Sequence, residues 1–133
     1  MMNQLATTDN LNAISSEIIG CAIEVHRELG PGLLESVYEI CLATELKAKG
    51  IGFKRQLYLP VRYKTYLLDL DFRIDVMVEE EVVVEIKTVE NLLPVHEAQL
   101  MTYLKLSKKR LGLLINFNEA LLKDGIRRML NGF

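Results

Sequence analysis

At 133 residues, with 50% of them hydrophobic and 26% charged, the chain has the size and composition of one globular domain and not of a disordered or low-complexity protein. Its net charge of −2 is not that of a free-standing nucleic-acid binder, which is normally basic. No apolar run reaches the roughly 18 residues needed to span a bilayer. The start of the chain lacks a basic-then-apolar signal pattern, so a cytoplasmic protein without membrane association is expected.

The first ten residues are polar and read as a tail, residues 1–10, leaving 11–133 as a single domain. From about Asn10 to Leu29, the positions Ile18, Ile19, Ala22, Ile23, Val25 and Leu29 recur at helical spacing. Gly30-Pro31-Gly32 ends that helix, and a second is expected from Leu34 to Lys49, closed by Gly50. Cys21 and Cys41 fall in these helices without metal-ligand spacing and are expected as free thiols. Three strand-like runs follow, Phe53 to Val61, Tyr66 to Val78 and Val82 to Lys87. Pro94 opens a third helix through Ser107. Leu111 to Phe117 is apolar on both faces, as an interior strand would be, and Asp124 to Leu130 has the spacing of a last short helix. The expected fold is therefore α/β, a mixed sheet of a three-strand meander plus a further strand, flanked by helices.

Charges interrupt two of the strand runs. Asp75 lies in Phe72-Arg73-Ile74-Asp75-Val76-Met77-Val78, and Glu85 with Lys87 lies in Val82-Val83-Val84-Glu85-Ile86-Lys87. A charge in such a run must be paired, bound to metal or turned to water. Alternation puts Asp71, Arg73 and Asp75 on one face and Phe72, Ile74 and Val76 on the other, while Val83, Glu85 and Lys87 share a face. If the Glu79-Glu80-Glu81 turn is centred on Glu80, Asp75 faces Glu85 and Arg73 faces Lys87. Opposed carboxylates repel by a few tenths to about 1 kcal/mol. A divalent cation between them reverses that, and hard oxygen donors suit Mg²⁺, with Mn²⁺ as a substitute. Lys87 beside a bound phosphate could orient water or neutralise charge. The alternative is a solvated strand face on which the same charges simply meet water.

Elsewhere, Glu35 and Tyr38 are co-facial near the start of the second helix, and Gln99 and Tyr103 are co-facial on the third. Glu35 in a first turn also suits the helix dipole, and Gln99 with Tyr103 suits an amphipathic polar stripe. His26 and His96 are expected as hydrogen-bonded structural residues. The basic clusters Lys105-Lys108-Lys109-Arg110 and Lys123-Arg127-Arg128 read as solvated faces or phosphate contacts. No nucleophile elbow or phosphate-cradling glycine loop is present.

Taken together, Gly32-Leu33-Leu34-Glu35-Ser36-Val37-Tyr38, Asp75, Glu85-Ile86-Lys87 and Gln99-Leu100-Met101-Thr102-Tyr103 resemble the GxxExxY proteins of the PD-(D/E)XK nuclease-like superfamily. The likeness runs from Ile18 to Gly132, with Ile74 in place of the proline that often precedes the first acid. It implies a restriction-endonuclease-like core and a metal-dependent nuclease that hydrolyses phosphodiester bonds. Asp75 and Glu85 would be the metal-binding acids, Lys87 the catalytic lysine and Glu35 a further ligand or its second sphere. Gln99 and Tyr103 would form the QxxxY motif of the exonuclease-like branch, with Tyr38, Tyr103 and Arg73 against substrate. The expected partner is nucleic acid, DNA before RNA, and so small a domain is expected to self-associate as a homodimer. The rival expectation is a nuclease-like module that binds nucleic acid or a protein without cutting.

Overall fold

The computed structural model describes residues 7–132. Helix α1 (Thr8–Leu29) starts where Thr7 Oγ1 accepts the Asn10 N–H at 3.0 Å, which satisfies an otherwise orphaned donor of the first turn. Residues 8–10 are thus helix and not tail; the part of the expected tail before Thr7 lies outside the described residues. Then follow α2 (Glu35–Ala48), β1 (Phe53–Tyr63), β2 (Tyr66–Val78), β3 (Val82–Lys87), α3 (Pro94–Ser107), β4 (Leu111–Asn116), one 3₁₀ turn (Leu122–Gly125) and β5 (Ile126–Leu130).

The helix expected over Asp124–Leu130 is the one wrong element. Its place is taken by the 3₁₀ turn and by β5, which pairs antiparallel with β4 from Ile115↔Ile126 to Leu111↔Leu130. Ile126, Met129 and Leu130 have helix-like spacing, but β4 would otherwise leave its buried backbone groups without ladder partners on that side. As on a strand, Ile126 and Met129 point to opposite faces and join different core clusters.

The sheet has the order β1-β2-β3-β4-β5, antiparallel except for the parallel β3–β4 pair that α3 connects. Both faces are covered. Cys21 and Ala22 of α1 and Leu42 and Leu46 of α2 pack on Val76, Val84, Ile86, Leu113 and Ile115. Leu100 and Leu104 of α3 pack on Ile74, Met77, Val83 and Leu114. Burying each such side chain contributes roughly 1.5–3 kcal/mol, so β3 and β4 are the best-anchored strands.

The turn from β2 to β3 is centred as expected. Val76↔Val84, Met77↔Val83 and Val78↔Val82 pair, with Glu79 and Glu80 both left-handed at φ 53° and 60°. The expected faces of β2 need correction. Val76 and Val78 lie on the α1/α2 side, whereas Phe72 and Ile74 lie on the α3 side. In β1, Phe53 and Leu57 divide in the same way. The inversion occurs where the β1–β2 ladder passes from Arg55↔Val76 to Leu57↔Ile74, skipping Gln56 and Asp75. Gln56 has φ 51°, so the ribbon twists over at one level. Asp75 sits at that twist.

Candidate functional site

The β2–β3 ladder stops one step short of the two acids, and side chains take over from the backbone. The Asp75 N–H donates to Glu85 Oε1 at 3.2 Å, and the Ile86 N–H donates to Asp75 Oδ2 at 2.8 Å. Each carboxylate therefore satisfies a donor on the opposite strand that the diverging ladder has left unpaired. This is why two acids can occupy an otherwise apolar strand pair. Because the strands separate here, Arg73 does not face Lys87; Lys87 pairs instead with Asn116 of β4.

Two hydrogen bonds do not offset what burial imposes. Glu85 is 4% exposed and its carboxyl is pushed up to about 8, by desolvation first and by the Asp75 charge second. Asp75 is pushed up to about 6, again mainly by desolvation, with the Glu39 and Glu35 charges adding to it. The Ile86 N–H and the Lys87 charge pull the other way and do not compensate. Two like charges this close titrate as a pair. The pair is short of positive charge.

Lys87 is the cation whose charge reaches both acids. Its Nζ donates to Gln99 Oε1 at 3.0 Å, and Gln99 Nε2 donates to the Tyr103 hydroxyl at 3.3 Å. The i, i+4 spacing on α3 puts Gln99 and Tyr103 on the face that covers β3. Tyr103 is buried, with Phe72 edge-on to its ring at 6.3 Å, and it steadies Gln99 from within the core. Burial and the Glu85 and Asp75 charges raise its hydroxyl pKa.

Tyr38 is also placed differently from the expectation. Its side chain is 0% exposed and stacks on Phe117 with ring centroids 4.5 Å apart. Its hydroxyl donates to the Gly30 carbonyl at 2.6 Å and accepts the Leu33 N–H at 3.2 Å. The tyrosine is thus a latch on the Gly30-Pro31-Gly32-Leu33 connection. Gly30 and Gly32 have φ of 67° and 101° there, which a side chain would disfavour. The latch sets where α2 begins and so where Glu35 stands. Glu35 is exposed in the first turn of α2, and its charge is felt at both Asp75 and Glu85. Arg73 is exposed and bonded to Asp71 at 2.7 Å.

Sequence reasoning missed Glu39. One helical turn beyond Glu35, it is 6% exposed and accepts from Arg55 Nε at 3.0 Å and from Gln56 Nε2 at 2.8 Å. It thereby holds the left-handed position that inverts the ribbon beside Asp75. The available signal was a glutamate in register with the apolar positions Leu42 and Leu46, facing inward. Asn116 was missed as well. It is 0% exposed, its Oδ1 accepts the Val89 and Asn118 N–H groups at 3.0 and 3.2 Å, and its Nδ2 donates to the Val89 carbonyl at 2.8 Å. It ties the segment after Lys87 to the end of β4. His26 is structural as expected, its Nε2 2.7 Å from the Glu119 carbonyl and therefore the protonated nitrogen.

Among the described residues no group of three or more His, Cys, Asp or Glu side chains is arranged to hold a metal. The pair alone has the chemistry for one: Mg²⁺ keeps several waters and takes one or two carboxylates together with substrate phosphates. Residues 12–129 match the family model of the PD-(D/E)XK nuclease superfamily. The chain belongs to that superfamily. Among solved structures, the crystal structure of SSO0001 is similar at a TM-score of 0.55 and 18% identity, over 74% of this chain and 51% of that one. The nuclease-superfamily chain thus spans about half the length of that protein, and the likeness is one of fold. Comparison with curated proteins gives no match. No helix among the described residues is long and apolar enough to cross a membrane.

Proposed function

We propose that the domain is a divalent-metal-dependent nuclease that hydrolyses nucleic-acid phosphodiester bonds, with Asp75 and Glu85 holding Mg²⁺ or Mn²⁺. One observation carries this reading: two carboxylates from neighbouring strands converge with both pKa values raised, and no side chain fully neutralises them. When bound, a divalent cation supplies Lewis acidity, polarising the phosphoryl oxygen and acidifying a water. Lys87, held by Gln99, is the group that orients the attacking water or balances charge on the phosphate. Glu35, exposed at the start of α2, is suited to a water in the outer sphere of that cation. Tyr103 and Glu39 act as positioning residues. The Gly32, Glu35 and Tyr38 spacing supports placing the chain among the GxxExxY proteins.

The test is cleavage of labelled single- and double-stranded DNA and RNA with Mg²⁺ or Mn²⁺. Glu85→Ala and Lys87→Ala should each lower the rate by at least about 100-fold, the size of effect expected when a preorganised charge is removed from a reaction centre. Cleavage that persists undiminished in both variants overturns the assignment. Calorimetric titration of the wild-type protein should show metal binding that Glu85→Ala abolishes.

A further inference from the structure

The β1–β2 ribbon continues past the site as a two-stranded arm. Beyond the twist at Gln56 and Asp75, the described residues cover its α3 side, with Leu57, Leu59 and Phe72 against the α3 cluster. Tyr63, near the tip, lies five positions along β1 from Tyr58, about 17 Å of strand. The chain has five tyrosines. Tyr38 and Tyr103 are buried, while the other three, Tyr58, Tyr63 and Tyr66, are all on this arm and 48%, 58% and 67% exposed. Tyr63 and Tyr66 are cross-strand partners, so their rings share one face at the tip.

Charge is segregated to the same place. Between Lys54 and Arg73 the sequence has five basic residues and two acidic ones, in a chain whose net charge is −2. Lys54, Arg55 and Arg73 are spent on Glu80, Glu39 and Asp71. Arg62 and Lys64 make no ion pair among the described residues, and the Lys64 ammonium lies 5.3 Å from the Tyr63 ring centroid. Exposed aromatic rings interleaved with unpaired cations are the chemistry of single-stranded nucleic-acid platforms. Every base has a face to stack, and every nucleotide has a phosphate to contact.

We infer that the tip of the β1–β2 arm, with Tyr63, Tyr66, Arg62 and Lys64, docks single-stranded nucleic acid and leads it along β2 toward Asp75. This rests on the nuclease reading for its purpose but not for its measurement. The experiment uses the Glu85→Gln protein in EDTA, where nothing is cut, and follows the fluorescence anisotropy of an oligothymidylate of about 12 nucleotides, an oligouridylate of equal length and a duplex. Single strands should bind more tightly than duplex, and the two single-strand arms separate DNA from RNA as the source. Tyr63→Ala/Tyr66→Ala should weaken single-strand binding at least tenfold, and Tyr63→Phe/Tyr66→Phe should restore it. Arg62→Ala/Lys64→Ala should reduce the salt slope of log K by about 1.4, the value for two lost phosphate contacts on a single strand. Unchanged affinity in both double variants overturns the proposal. So does tighter binding of duplex, or a change of mass in light scattering when the tyrosines are removed, which would make the tip a self-association surface. Binding through the arm, together with a wild-type protein that cuts nothing when Mg²⁺ or Mn²⁺ is supplied, removes the nuclease reading and leaves the arm. Cleavage with arm variants that bind like wild type does the reverse.

Discussion

Two polar groups of the sheet behave in opposite ways. Asn116 on β4 is fully enclosed and has all its contacts within the chain: two N–H groups on its oxygen and one carbonyl on its amide. Asp75 and Glu85 on β2 and β3 each accept one backbone N–H and are left with raised pKa values. A neutral amide can be completed by backbone alone. A pair of carboxylates in the same surroundings requires positive charge, and Lys87 supplies only part of it. The completed group is part of the architecture, and the incomplete one is open to chemistry.

The sharpest way to test that contrast is pH. Asp75 and Glu85 have folded-state pKa values above their unfolded ones, so between about pH 4 and pH 8 the native state binds more protons than the unfolded state. Stability therefore falls as pH rises through that window, by on the order of a few kcal/mol for the pair. Thermal melts of the metal-free protein should drop between pH 5 and pH 8. Glu85→Gln should flatten the drop and raise the melting temperature at pH 8. A flat profile in the wild-type protein would mean that the acids are already compensated.

Asn116→Ala should show the converse. It strands the Val89 and Asn118 backbone groups, costing roughly 2–3 kcal/mol and lowering the melting temperature on the order of 10 °C, with the pH slope unchanged. A slope that changed with it would join the two regions into one. The smallest effect is expected at Gln99. Gln99→Ala frees the Lys87 ammonium from its acceptor and should lower the turnover number about tenfold while metal affinity, read by calorimetry, stays the same. A parallel loss of metal affinity would place Gln99 with the acids instead of with the lysine.

The convergence of Asp75 with Glu85 was readable because it depends on short-range rules. A turn centred on Glu80 and a period of two are enough to oppose the acids, and a period near 3.6 is enough to align Gln99 with Tyr103. What could not be read depends on partners distant in the chain. Ile126 to Leu130 has helical spacing and becomes a strand because β4 requires an edge partner. The ribbon inverts at Gln56 because Glu39 on another element holds it, and nothing near Gln56 signals a left-handed residue. Tyr38 was assigned to substrate because of its motif, although its spacing with Leu42 and Leu46 already marked the buried stripe of α2.

The Glu79–Glu80 turn also works as a length standard. It contains no functional side chain of the site, yet its residue count alone decides that position 75 meets position 85. Removing one residue would slide β3 by one place, bring Ile86 opposite Asp75 and turn Glu85 toward the helices α1 and α2. Every acid would still be present in the sequence, and a motif search would still find them. The distance along the chain between the acids, and not only their identity, is therefore part of what makes this a site.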